Sequence, residues 1–141
     1  MVVVAFILVV ITLAAYSFFN TEARINRALN RLSETRKVIV RSFETTSITD
    51  ESVIKEIIDV LSNAIPPNCN IFGFTTASGP DLGLDMLNNQ GEIIESINIW
   101  TSTNGMMPKS IKRYCGRTTI DITRLNDILE EASVFHGLNS E

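Results

Sequence analysis

Few side chains in this chain of 141 residues have the type and spacing that chemistry needs. There is one histidine, His136, close to the expected end of the last helix, where an imidazole more commonly satisfies terminal carbonyls than moves protons. The two cysteines, Cys69 and Cys115, stand 46 positions apart. With no second histidine they do not make a zinc site. As a pair in an exported domain they read as a disulfide candidate closing a loop of about 45 residues; the alternative is two buried thiols that behave as small hydrophobes. Ser78, in "TTASGPD", lacks the G-x-S-x-G frame of a nucleophile elbow. Gly73, Gly79 and Gly83 are not followed by Lys-Ser/Thr and open no helix, so no phosphate loop is expected. The acid pairs Asp81/Asp85 and Glu92/Glu95 are of the kind any acidic protein carries. No catalytic residue, cofactor-binding residue or metal ligand is therefore expected, nor a small-molecule substrate, and the chain reads as a non-enzyme. Met106-Met107 with Trp100 nearby suggests either an apolar contact patch in a loop or the plug of a hairpin.

The elements around these residues say more. Residues 2–19 pass without a charge, and twelve of the eighteen are Val, Ile, Leu or Phe. An 18-residue helix is about 27 Å long, close to a hydrocarbon core about 30 Å thick, so a transmembrane anchor is expected over 1–20. The hydroxyls of Thr12 and Ser17 can bond back to helix carbonyls, and Tyr16 suits an interface. Ala15-Tyr16-Ser17 is also a small-x-small pattern, which leaves cleavage after Ser17 open, although no basic n-region precedes the run. There is also no acid before Glu22 and no basic leader, which sets the run apart from a processed pilin leader.

Charge is uneven. The net charge is −4, yet residues 22–41 carry six bases (Arg24, Arg27, Arg31, Arg36, Lys37, Arg41) against two acids (Glu22, Glu34). The remainder of the chain is strongly acidic, which argues against nucleic acid as a partner. The basic stretch suits anionic headgroups or a solvated helix face. Positive charge downstream of the apolar run favours a cytoplasmic domain, whereas a disulfide favours a periplasmic one.

Ile25, Leu29, Leu32, Ile39 and Phe43 recur at helical steps, so the first helix is expected to continue as a basic amphipathic helix over 21–45. "ETTSITDES" then starts a second helix, capped by Thr49 or Ser47, with Val53, Ile54, Ile57, Ile58, Leu61 and Ile65 as its stripe and Pro66-Pro67 as its stop. "NIFGFTTASG", residues 92–102 and "RTTIDIT" read as strands, with a loop around Asn104-Gly105. A last helix begins with Thr123 as cap and stops near Gly137. The expected fold class is α+β: a transmembrane helix running into an amphipathic helix, then, over 46–141, a small antiparallel sheet packed by helices.

Taken together, "VVVAFILVVITLAAYSFFNTEARIN", "NCNIFGFT" and "RYCGRT" resemble the PilM family of plasmid-encoded thin type IV pilus systems, distinct from the actin-like ATPase of the same name. The resemblance implies an inner-membrane, single-pass component of the pilus assembly apparatus with a scaffolding or basal-body role in conjugation, its main domain in the periplasm. The partners it implies are other pilus assembly proteins or pilins and inner-membrane lipid. It carries over no functional residue. A pilin-like minor subunit and a small exported protein with a cleaved signal are the alternatives.

Overall fold

The computed structural model describes residues 2–65, 79–111 and 118–132, and within the first helix the side chains of 3–16 and 23–30. Helix α1 (Val2–Asn30) contains no Gly or Pro to interrupt it. It tightens into a 3-10 turn over Arg31–Glu34 and stops where Thr35 adopts an extended backbone. The chain then enters β1 (Lys37–Arg41) and β2 (Thr45–Ile48), an antiparallel hairpin with Phe43 almost fully exposed at its tip.

Helix α2 (Glu51–Ser62) is capped by Asp50, whose carboxylate accepts from the backbone N–H groups of Ser52 and Val53. These are among the donors that a helix start leaves unpaired. Strands β3 (Leu82–Leu87) and β4 (Ile93–Trp100) form a second hairpin. Its turn is organised by Asn88, whose side-chain oxygen accepts from Gln90 and Glu92, and by Gly91 at φ +80°. Strands β5 (Gly105–Pro108) and β6 (Thr118–Thr119) follow, then helix α3 (Ile122–Glu131), capped by Asp121.

The six strands form one antiparallel sheet in the order β2-β1-β3-β4-β5-β6. Because side chains alternate across a strand, Val38 and Val40 share a face with Leu82, Leu84, Met86, Ile97, Ile99 and Met106, which are their register partners in turn. That face meets Ile25, Leu29 and Leu32, the α2 residues Ile54, Ile57 and Leu61, and the α3 residues Leu125, Ile128 and Leu129 in one core.

The α+β architecture with an antiparallel sheet is as expected, but the N-terminal third differs. The amphipathic helix expected over 21–45 ends at Asn30, and "KVIVR" is a strand inside the sheet. Its β-branched run favours extended backbone, and Val38 and Val40 alternate into the core while Ile39 faces the other side. The transmembrane anchor is also corrected: among the described residues no helix is long and apolar enough to cross a membrane. The expected strand over 70–79 lies almost entirely outside the described residues. Among the described residues of "RTTIDIT" only Thr118–Thr119 is strand, and the cap of α3 is Asp121 rather than Thr123. Asp50, not Thr49 or Ser47, caps α2.

Candidate docking surface

Helix α1 has two unlike halves. From Val3 to Leu13 its large apolar side chains stand 48–70% exposed, and Tyr16 is 69% exposed. Of the two described hydroxyls in this arm, Thr12 donates to the Leu8 carbonyl at 2.8 Å and Tyr16 stands near its end, so the arm offers its surroundings mostly hydrocarbon. Beyond it the helix turns amphipathic: Ile25, Ala28 and Leu29 are buried, while Arg24, Arg27 and Arg31 remain at least partly exposed. Steps of three and four residues put each set on its own side of the helix.

A groove of about 440 Å³ runs along this second half. Arg24 and Arg27 line it from α1, Arg31 and Glu34 from the 3-10 turn, and Glu95 and Ser110 from the sheet side. Glu95 is buried because it shares the core face of the sheet, opposite Met86. Its Oε1 accepts from the backbone N–H groups of Ser96 at 3.0 Å and Ser110 at 3.1 Å. The two ion pairs among the described residues, Arg41–Asp85 and Arg124–Asp59, use none of the three groove arginines.

On the opposite face of the sheet, Arg41 of β1 reaches across β3. Its Nε and Nη2 donate to the two oxygens of Asp85 at 2.7 and 2.9 Å, and the Ser96 hydroxyl donates to Asp85 Oδ1 at 2.6 Å. Burial alone would raise the Asp85 carboxyl; the bonds from Ser96 and Arg41, with Lys109 adding positive charge, outweigh it and hold Asp85 below the usual carboxylate range. The guanidinium lies where a Cβ on Gly83 would come within 2.8 Å of Nη2, so Gly83 leaves room for the bridge. This three-strand network ties the sheet together, and every polar atom of Asp85 is spoken for.

A second cleft, of about 370 Å³, lies between the 3-10 turn and α2 and is lined by Ser33, Thr35, Arg36, Glu51 and Lys55. Arg36 Nη1 donates to the Thr35 carbonyl at 2.9 Å, and the buried Thr35 hydroxyl has no hydrogen-bond partner among the described residues.

Of the residues singled out from sequence, Cys69, Cys115, His136, Ser78 and Gly73 lie outside the described residues. Asp81 and Asp85 are drawn to separate partners: Asp81 Oδ2 accepts from the Thr101 backbone and hydroxyl at 2.8 and 3.0 Å, away from the Arg41 network. Glu92 accepts from the Asn88 side chain at the hairpin turn, and Glu95 lies in the groove, so that pair is not a site either. Among the described residues no three His, Cys, Asp or Glu side chains are grouped to hold a metal ion. Trp100, Met106 and Met107 are buried in the β4–β5 hairpin, which makes them part of its packing rather than a contact patch. The groove itself was not legible in advance. Its basic wall was visible as a charge run, but Glu95 and Ser110 reach it only through the strand register.

No family model, no curated protein and no solved structure matches this chain.

Proposed function

We propose that this protein is a non-enzymatic, inner-membrane component of a type IV pilus assembly apparatus, with a scaffolding role in the thin pilus of conjugation. The observation that carries the reading is the division of α1 into a bare, uncharged and mostly apolar arm and a half built into an antiparallel sheet domain. A helix that is apolar on every side requires apolar surroundings on every side, and the domain leaves those of residues 3–16 open. The arm enters the hydrocarbon layer of the membrane, which it can do without crossing it. The domain is then confined to a thin layer beside the membrane, which raises its effective concentration for the other pilus components held there. The resemblance to the PilM family supplies the particular machinery.

Deleting the coding sequence from a plasmid that makes thin pili tests this. Pili and liquid mating are expected to be lost, and restored by the full chain supplied in trans. Unchanged piliation in the deletion refutes it.

A pilin-like minor subunit is the second reading, favoured by the same layout: a long N-terminal helix half packed on an antiparallel sheet and half free to bundle with other helices. Recovery of the protein in sheared filaments, rather than in the cell envelope, decides for it.

A further inference from the structure

The groove along the second half of α1 has a chemistry that its position explains. We infer that it seats the phosphate headgroup of an anionic phospholipid, so that the sheet domain is held against the membrane in one orientation. The inference rests on the proposed entry of the apolar arm into the membrane.

Three observations meet here. The first is placement. The apolar run ends at Phe19, and Arg24 and Arg27 follow five and eight residues later on the same unbroken helix. At 1.5 Å per residue they stand about 7 and 12 Å beyond the run, while a headgroup layer is about 5–8 Å thick and an arginine stem reaches several ångströms further.

The second is availability. Neither described ion pair engages Arg24, Arg27 or Arg31, and the buried carboxylate at the groove, Glu95, is held by the backbone N–H groups of Ser96 and Ser110. Guanidinium groups present forked donors that match phosphate oxygens. Ala28 and Ile111 supply apolar wall for the glycerol end.

The third is contrast. Outside residues 22–41 the chain carries six bases and fourteen acids, so an anionic surface repels most of the molecule and attracts it only here. Glu34 is the one exposed acid lining the groove, and it works against an anion.

The test is flotation of the full chain with vesicles of pure phosphatidylcholine and with vesicles containing phosphatidylglycerol. Binding to phosphatidylcholine reads the apolar arm alone; the gain on adding phosphatidylglycerol reads the groove. A triple variant, Arg24→Gln, Arg27→Gln and Arg31→Gln, is expected to bind phosphatidylcholine as the parent does. It should lose most of the phosphatidylglycerol gain, at about fivefold for each of Arg24 and Arg27, the two nearest the headgroups, and so at least on the order of thirtyfold in all. Glu34→Gln should increase the gain, a result that misfolding cannot imitate. Raising salt should remove it. Equal gain in the parent and the triple variant overturns the inference while leaving the arm intact; a triple variant that also loses binding to phosphatidylcholine overturns it too, because the arginines would then not act through the anionic headgroup alone. Failure of the parent to bind phosphatidylcholine instead refutes membrane entry by the arm.

Discussion

The two halves of α1 can be separated by making the same substitution in each region they lead to. Leu8 is 59% exposed in the arm; Leu32, in the turn that closes the helix, is fully buried in the core. Leu32→Ala removes three carbon atoms from a packed site between the helices and the sheet. The lost transfer free energy and the residual cavity together cost about 3–4 kcal/mol. For a chain of this size each kcal/mol lowers the midpoint of thermal unfolding by about 3 °C, so the expected fall is about 10 °C. Leu8→Ala removes the same atoms from a position that touches little of its own domain, and Ala is at least as good a helix former. The expected change is within about 0.5 kcal/mol. Thermal unfolding followed by circular dichroism, in one mild detergent for parent and both variants, measures the difference. Refutation comes from Leu8→Ala destabilising the domain by more than about 2 kcal/mol, because the arm would then be folded back on the domain. A loss below about 1 kcal/mol for Leu32→Ala would equally show that the helix is not docked.

Other outcomes follow from the same geometry. Asp85→Ala leaves Arg41 and Ser96 without their shared acceptor and should cost about 1–2 kcal/mol, read by urea unfolding. Because the Asp85 carboxyl is held below its ordinary value, its contribution is present in full above the unfolded pKa of about 4 and is lost as pH falls through the lower folded value. An acid titration of stability should therefore be shallower below pH 4 in Asp85→Ala than in the parent. Gly91→Ala should cost about 1 kcal/mol although its new methyl would touch nothing within 4 Å, since the cost lies in holding φ at +80° with a side chain. Asp121→Ala removes the acceptor for the Arg124 N–H and should loosen the start of α3 by about 1 kcal/mol, visible as faster amide exchange over residues 122–125.

Part of this architecture is written plainly in the sequence. The stripe of α2 at 54, 57 and 61 is buried as its spacing indicates, and the alternation of Ile97 and Ile99 against Ser96 and Asn98 correctly marks β4. Misreadings occur where one set of residues satisfies two periods. Ile25, Leu29, Leu32, Ile39 and Phe43 fit a helix, yet Val38 and Val40 fit a strand better, and only pairing with Met86 and Leu84 decides between them. Strand β3 was concealed because Gly83 and Asp85 look like loop residues until Arg41 is seen lying over the one and bonded to the other. The caps of α2 and α3 lie one to three residues from where the sequence suggests, because neighbouring Thr, Ser and Asp side chains compete for the same role. Ile65 belongs to the α2 stripe by spacing, but the helix ends at Ser62, and Ile65 instead bridges to Thr119 and stays exposed. The groove draws its walls from residues more than eighty positions apart, so no local pattern announces it.

The measurement that bears most directly on the central claim is flotation of membranes from cells making the full chain, compared with a variant carrying Leu8→Ser and Ile11→Ser in the exposed arm. The parent protein is expected to rise with the membranes and the double variant to stay largely with the soluble proteins at the bottom of the gradient. A parent that stays at the bottom, or a double variant that floats equally well, contradicts the account.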